Sequence, residues 1–316
     1  MITRRNYLKH TALLGAVAAL PACAHSLAVE NSLITRAIPK TGEQLPIVGL
    51  GTSATFRKIA MSDDTQPLRE VMRTLVQRGG TVLDTAPSYA NAEEISGRLA
   101  REANLTSKLF WATKVNAVPR GGDSADPRAV RAQIHQSFAN IGTDPIDLIQ
   151  VHNVADVATQ MPIIAELKQA GKLRYIGVTA TRKNQYPILE RTMRDYPIDF
   201  IGIDYAVDNT SAADQVFPLA RERGIAVLVY VPFGRTRLWE RVKGRDVPGW
   251  AHEFDATSWA QFFIKYAASH PDVTCVTPAT SRPHHMLDNM GAAYGALPDA
   301  KLRRRMESFI ETLPSA

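Results

Sequence analysis

Between residues 47 and 279 the chain repeats one unit, a short apolar run followed by an amphipathic stretch. The apolar runs are IVGLGT (47–52), TVLDTA (81–86), LFWATKV (109–115), IDLIQVH (146–152), RYIGVTA (174–180), FIGIDY (200–205), IAVLVYVPF (225–233) and VTCVTPA (273–279). Each has the length and apolar character of a buried strand. Between them, residues 66–78 place Leu68, Val71, Met72, Leu75 and Val76 at helical spacing, and residues 127–141 and 158–170 read as helices too. Glycines at 79–80, 171 and 224 fall where helix ends are expected. Eight strand–helix units in series, with no long linker, predict a single α/β domain, a TIM-type (β/α)8 barrel over residues 29–316. Residues ahead of 47 are expected to form a hairpin closing the barrel bottom. Residues 234–256, with Trp239 and Trp250, fit neither period and predict a loop on the functional face. Residues 298–313 predict one further helix.

Residues 1–28 read as an address rather than as fold. TRRNYLK (3–9) precedes an apolar run, TALLGAVAAL (11–20), then Pro21 and small residues. A basic start, a short apolar core and a small-residue cleavage site make a secretory signal. The run is shorter than the ~20 residues that span a bilayer. Arg4 and Arg5, followed by an aromatic residue, Leu8 and Lys9, resemble the twin-arginine export signal. That resemblance implies a folded protein delivered to the periplasm by the twin-arginine machinery. LPAC (20–23) loosely matches a lipidation box ending at Cys23, a second reading that Pro21 disfavours.

Charge and cysteine content close off other classes. The net charge of +6 includes Arg4, Arg5 and Lys9, and no dense Lys/Arg stripe follows, so nucleic-acid binding is not indicated. Of the two cysteines, Cys23 lies in the leader and Cys275 in the body, which leaves no internal disulfide after cleavage. No spacing of His and Cys suggests a metal.

The chemistry gathers at strand ends, where a barrel of this kind builds its active site. Asp84 ends the second run, Lys114 the third and His152 the fourth, with Tyr89 in the loop after Asp84. One mouth therefore receives an acid, a base, an imidazole and a phenol. A phenol with pKa ~10 is a poor acid near neutrality, and a nearby ammonium stabilises its phenolate. Lys114 is expected to lower the Tyr89 pKa, Asp84 to keep Lys114 charged and aimed, and His152 to orient a substrate oxygen.

The segments DTAPSYANAEEISG (84–97), ATKV (112–115), IDLIQVHN (146–153), GKLRYIGVTA (171–180), RGIAVLVYVPFG (223–234) and TPATSRPHHMLDN (277–289) resemble, in order, those of the aldo-keto reductase family. The resemblance implies carbonyl reduction by NAD(P)H, with Tyr89, Asp84, Lys114 and His152 as the catalytic set and no metal. No G-x-G-x-x-G supports a Rossmann site. By the resemblance, Tyr230 stacks on the nicotinamide. Thr280, Ser281, Arg282 and His285 hold an adenosine 2′-phosphate at the start of helix 283–294, and Asn289 contacts adenine. This favours NADPH over NADH.

The pattern departs from the family in places. His285 stands where many relatives carry arginine, and Ala279 where lysine is common. Thr179-Ala180 and Gly202 replace the Ser-Asn and Gln that often hold the carboxamide. Asp204 is a candidate substitute there. Asn209 and Arg235 are candidate pyrophosphate contacts, and Trp111, Asn116, Asn153, Trp239 and Trp250 candidate substrate walls. Those departures leave a second reading open, a non-catalytic NADPH-binding barrel acting as redox sensor or partner subunit.

Overall fold

The computed structural model describes residues 32–314. The leader, with Arg4, Arg5 and Cys23, lies outside them. An antiparallel hairpin comes first, β1 (Thr35–Ala37) against β2 (Gln44–Pro46). Eight parallel strands then follow: β3 (Leu50–Gly51), β4 (Val82–Asp84), β5 (Phe110–Val115), β6 (Ile146–Val151), β7 (Leu173–Ala180), β8 (Phe200–Asp204), β9 (Ala226–Tyr230) and β10 (Cys275–Val276). They pair in sequence order. Bridges from Val48 to Val276 and from Gly51 to Ala279 join the last strand to the first and close the ring. This is the (β/α)8 barrel expected from the repeat.

Helices fill the crossovers: α1 (Thr55–Ala60), α2 (Gln66–Gln77), α3 (Ala92–Glu102), α4 (Pro127–Ile141), α5 (Val157–Gln169), α6 (Tyr186–Asp195), α7 (Ser211–Gln215), α8 (Phe217–Glu222), α9 (Arg237–Val242), α10 (Trp259–Ala268), α11 (Pro283–Gly291) and α12 (Ala300–Glu311). Their limits follow local chemistry. Asp126 accepts from the Arg128 amide ahead of α4, Pro127 occupies the first turn, and Gly142 ends the helix at φ 77°. α2 turns Leu68, Val71, Met72 and Leu75 inward, the face its spacing prescribed. α11 stops at Gly291, short of the expected 294.

Strand alternation divides the apolar side chains into two cores. Leu83, Trp111, Ile149, Val178, Ile201 and Val229 face the helices. Val82, Phe110, Leu148, Tyr175, Phe200 and Leu228 fill the barrel, and Ile38 and Leu45 of the hairpin side plug its floor. Polar inward positions therefore gather toward the opposite end, the mouth.

Residues 234–256 are not a simple loop. They carry α9 and a short 3-10 turn, Gly249–Phe254. Each is six residues long, too short for a periodic signal. Tertiary packing holds them: Trp239 lies against Phe233 and Phe263, and Trp250 against Phe262, Phe309 and the Arg305 guanidinium.

α3 and α4 meet at Gly97, where a Cβ would lie 2.0 Å from the Asn140 carbonyl oxygen. That neighbour is backbone and cannot swing away. Gly97→Ala should destabilise the fold by about 1–3 kcal/mol through overpacking. A lowered urea midpoint at unchanged m-value checks it; an unchanged midpoint would contradict the close approach.

Candidate active site

β4 and β5 deliver the central pair. Inward positions alternate along each strand, so Asp84 and Lys114, two residues above Val82 and Ala112, both point into the barrel. Lys114 Nζ donates to Asp84 Oδ1 at 2.5 Å and to the Thr85 carbonyl at 2.8 Å. Both side chains are almost wholly buried. Burial alone pushes the lysine down, but the Asp84 carboxylate and the Tyr89 phenol outweigh it, so Lys114 titrates above its ordinary value. Burial pushes the Asp84 carboxyl up, and Lys114 and Tyr230 pull it back.

Tyr89 sits in the loop after β4, its amide bonded to the Ala86 carbonyl. Lys114 Nζ lies 5.2 Å from the centre of its ring. His152 immediately follows β6 and meets the Tyr89 ring edge-on at 5.9 Å. The expected lowering of the Tyr89 pKa is not the net outcome. Burial pushes the phenol above its ordinary value, with Lys114 opposing. A phenol that keeps its proton is a loaded donor, and Lys114 limits the cost of giving that proton up. Burial and then Lys114 push His152 down to about 3, so the imidazole is neutral at physiological pH. Ser88 Oγ lies 3.4 Å from its Nδ1. When Ser88 donates there, the ring proton is on Nε2.

The chain after His152 is bent through left-handed backbone, with Asn153 at φ 57° and Val154 at φ 49°. Thr179 Oγ1 accepts the Asn153 amide at 2.8 Å, and Gln185 Nε2 donates to the Asn153 carbonyl. Thr179 and Gln185 thereby hold His152 at the mouth.

These residues border one cavity of about 1050 Å³. Pockets for drug-sized molecules run to about 1,000 Å³ at the upper end, so a long ligand fits. Asp84, Tyr89, Lys114, His152, Asn153, Thr179, Tyr230 and Trp239 line it, as do Thr280, Ser281, Arg282, His285 and Asn289. The groove thus connects the strand ends to the start of α11. Arg182, Arg235 and Arg282 also line it, and none has an ion-pair partner among the described residues. The lining carboxylate besides Asp84 is Asp288, already receiving Ser258 Oγ and Gln261 Nε2. The cavity is built for a multiply charged anion.

Other expected residues lie elsewhere. Trp111 does not wall the cavity: it is an outward residue of β5 packed among helices, its Nε1 donating to the Thr106 carbonyl. Asn116 is spent on local structure, its Oδ1 accepting the Val118 amide. Trp250 is in the aromatic cluster under α12. Gly202 lies beneath the Tyr230 ring rather than on the cavity wall, and Ala180 faces the helices. Asp204 is engaged by Tyr186 and Asn209, which also removes Asn209 from the groove.

Sequence reasoning missed Gln150, Arg182, Phe233 and Trp259. Gln150 carried a usable signal, a polar residue at an inward position of an otherwise apolar strand. The others sit in or beside loops, where no periodicity tells direction. Among the described residues no group of three or more His, Cys, Asp or Glu is placed to hold a metal ion.

Comparison with known proteins identifies the family and agrees with the barrel fold. Residues 47–308 match the model of the Aldo/keto reductase family. An aldo-keto reductase of Strobilurus tenacellus is 29% identical over 231 residues, covering 71% of this chain and 65% of that protein. The match thus spans a little under two thirds of that relative. The solved aldo-keto reductase of Bacillus halodurans in its holo form superposes with TM-score 0.71 at 21% identity, over 88% of this chain and 96% of that one. The aldo/keto reductase of Klebsiella pneumoniae, solved with NADP and acetate, gives TM-score 0.67 at 21% identity, over 85% and 93%.

Burial holds two histidines neutral, His152 at about 3 and His270 at about 4. Their folded-state values lie below the unfolded value of 6.5, so protonation favours the unfolded chain. Stability should therefore be full above pH 6.5 and fall as pH drops toward 4. Thermal midpoints across that range should decline less steeply in His270→Asn. A slope unchanged by the substitution would remove His270 from the account.

Proposed function

We propose, from the premise that this chain belongs to the Aldo/keto reductase family, that it reduces an aldehyde or ketone to an alcohol with NADPH. The observation that carries the reading is the buried Asp84–Lys114 pair set beside a protonated Tyr89 and a neutral His152 at the cavity mouth.

A bound NADPH would supply hydride to the carbonyl carbon. The protein's part is the proton and its placement. Tyr89 donates its phenolic proton to the carbonyl oxygen as negative charge develops there. Lys114, kept cationic by Asp84, stabilises the phenolate left behind. His152 cannot compete as the acid, because its imidazole is already neutral. It donates one hydrogen bond from Nε2 and fixes the oxygen's position.

The dinucleotide fits the residues present. Arg182, Arg235 and Arg282, without ion-pair partners among the described residues, suit its phosphates. Thr280, Ser281, Arg282 and His285 cluster at the start of α11, where backbone amides favour an anion. This supports NADPH over NADH, with Asn289 beside the adenine end. Trp239, Phe233 and Trp259 line the cavity and suit an apolar or aromatic carbonyl, with Asn153 as a polar contact. Arg4, Arg5 and the apolar run behind them support export to the periplasm by the twin-arginine route.

Tyr89→Phe should lower kcat by about 100- to 10,000-fold while NADPH affinity stays close to wild type. A variant as fast as wild type would displace Tyr89 as the acid. Binding of NADPH without turnover of any aldehyde in a broad panel would favour the non-catalytic barrel. In fluorescence titrations, Arg282→Ala should weaken NADPH by about 10- to 100-fold, the worth of a charge-assisted contact, and leave NADH nearly unchanged. Equal losses for both cofactors would place Arg282 away from the 2′-phosphate. Replacing Arg4 and Arg5 by lysine should leave the precursor in the cytoplasmic fraction; normal periplasmic recovery would refute the twin-arginine route.

A further inference from the structure

Tyr230, which the resemblance sets against the nicotinamide and which lines the cavity, also makes contacts beneath the cavity floor. Tyr230 ends β9 with its ring turned down into the barrel and its hydroxyl 2.8 Å from Asp84 Oδ2. Asp84 therefore receives two donors, Lys114 on one oxygen and Tyr230 on the other. The Tyr230 oxygen in turn accepts from Gln150 Nε2 at 2.9 Å. Direction follows from chemistry. An ionised carboxylate only accepts, so the phenol must donate to it and the amide must donate to the phenol. The chain runs Gln150, Tyr230, Asp84, Lys114, and ends beside Tyr89. All of its groups are buried, where each hydrogen bond polarises the next.

The fold makes room for this phenol at one residue. A Cβ on Gly202 would stand 2.2 Å from Tyr230 Cε2 and 2.7 Å from its hydroxyl oxygen. Any other residue at 202 displaces the ring from Asp84. Gly202 and Tyr230 are thus one device: a missing side chain on β8 admits the phenol of β9. Among the described residues Gln150 Oε1 has no hydrogen-bond partner, so the bond to Tyr230 is the one its side-chain amide makes there.

We propose that Tyr230 is a positioning residue for proton transfer, holding Asp84 ionised so that Lys114 stays charged beside Tyr89. The inference rests on the reductase reading for its catalytic consequence, but the state of Asp84 is measurable without turnover. Phenylalanine keeps the ring and removes only the donor.

In Tyr230→Phe the carboxyl should gain proton affinity. The acid limb of the kcat profile should move up by about one pH unit, the scale of one lost hydrogen bond to a charged group. NADPH affinity should stay near wild type. Gln150→Met weakens the same donor from one step away and should give a smaller shift in the same direction, which keeps the test intact if Tyr230→Phe folds poorly. Infrared difference spectra, with Asp84→Asn as the blank, should show the protonated Asp84 carboxyl appearing at higher pH in both variants. Lowered thermal stability with wild-type pH profiles and wild-type infrared titration would reduce Tyr230 to packing and overturn the proposal. A wild-type protein that turns over no carbonyl, with the infrared shift still present in the variants, would overturn the reductase reading and leave the Asp84 assignment standing.

Discussion

Lys114 and Asp84 face each other at 2.5 Å inside the barrel, with almost no exposure to water. Either charge alone in that place would cost several kcal/mol in lost hydration. Together they are tolerable only if the geometry is tight and the remaining donors and acceptors are satisfied. The Thr85 carbonyl accepts a second hydrogen bond from the ammonium, and the Tyr230 hydroxyl donates to the second carboxylate oxygen. Much of the upper barrel follows from that requirement. Gly202 has no side chain because the phenol needs its space, and Gln150 is polar because the phenol's oxygen needs a donor.

The same pair governs the electrostatics of the mouth. Its cation lies near the Tyr89 ring and contributes to keeping His152 neutral, so one lysine influences both the phenol and the imidazole. Farther along the cavity the pair is neutral overall, and the arginines at 182, 235 and 282 dominate. The site has two electrostatic regions in one groove: a self-compensated, dry end suited to proton transfer and a cationic arm suited to phosphates.

Much of this was legible along the chain. The apolar runs gave strand number and order, because a parallel barrel buries each strand in sequence and leaves little freedom of arrangement. Asp84, Lys114 and His152 could be assigned to one mouth from their places at strand ends. Trp111 could not be assigned correctly from composition, since an aromatic residue suits either side of a strand. Its position one residue from inward Phe110 and Ala112 turns it to the helices. Asn116 and Asp204 looked available as polar residues beyond strands, but neighbouring groups had already claimed their hydrogen bonds. Residues 234–256 hid α9 because a helix of six residues gains its stability from packing rather than from its own pattern.

The sequence by itself determined the barrel, the order of its staves and which functional groups reach the mouth, because these depend on local periodicity and on the alternation of a strand. Only the tertiary structure decided the net acidity of Tyr89, the neutrality of His152 and the partnership of Tyr230 with Asp84. Those depend on burial and on distances between residues far apart in the chain, such as 84 and 230. Desolvation is set by everything that packs around a group, and no spacing along the chain encodes it.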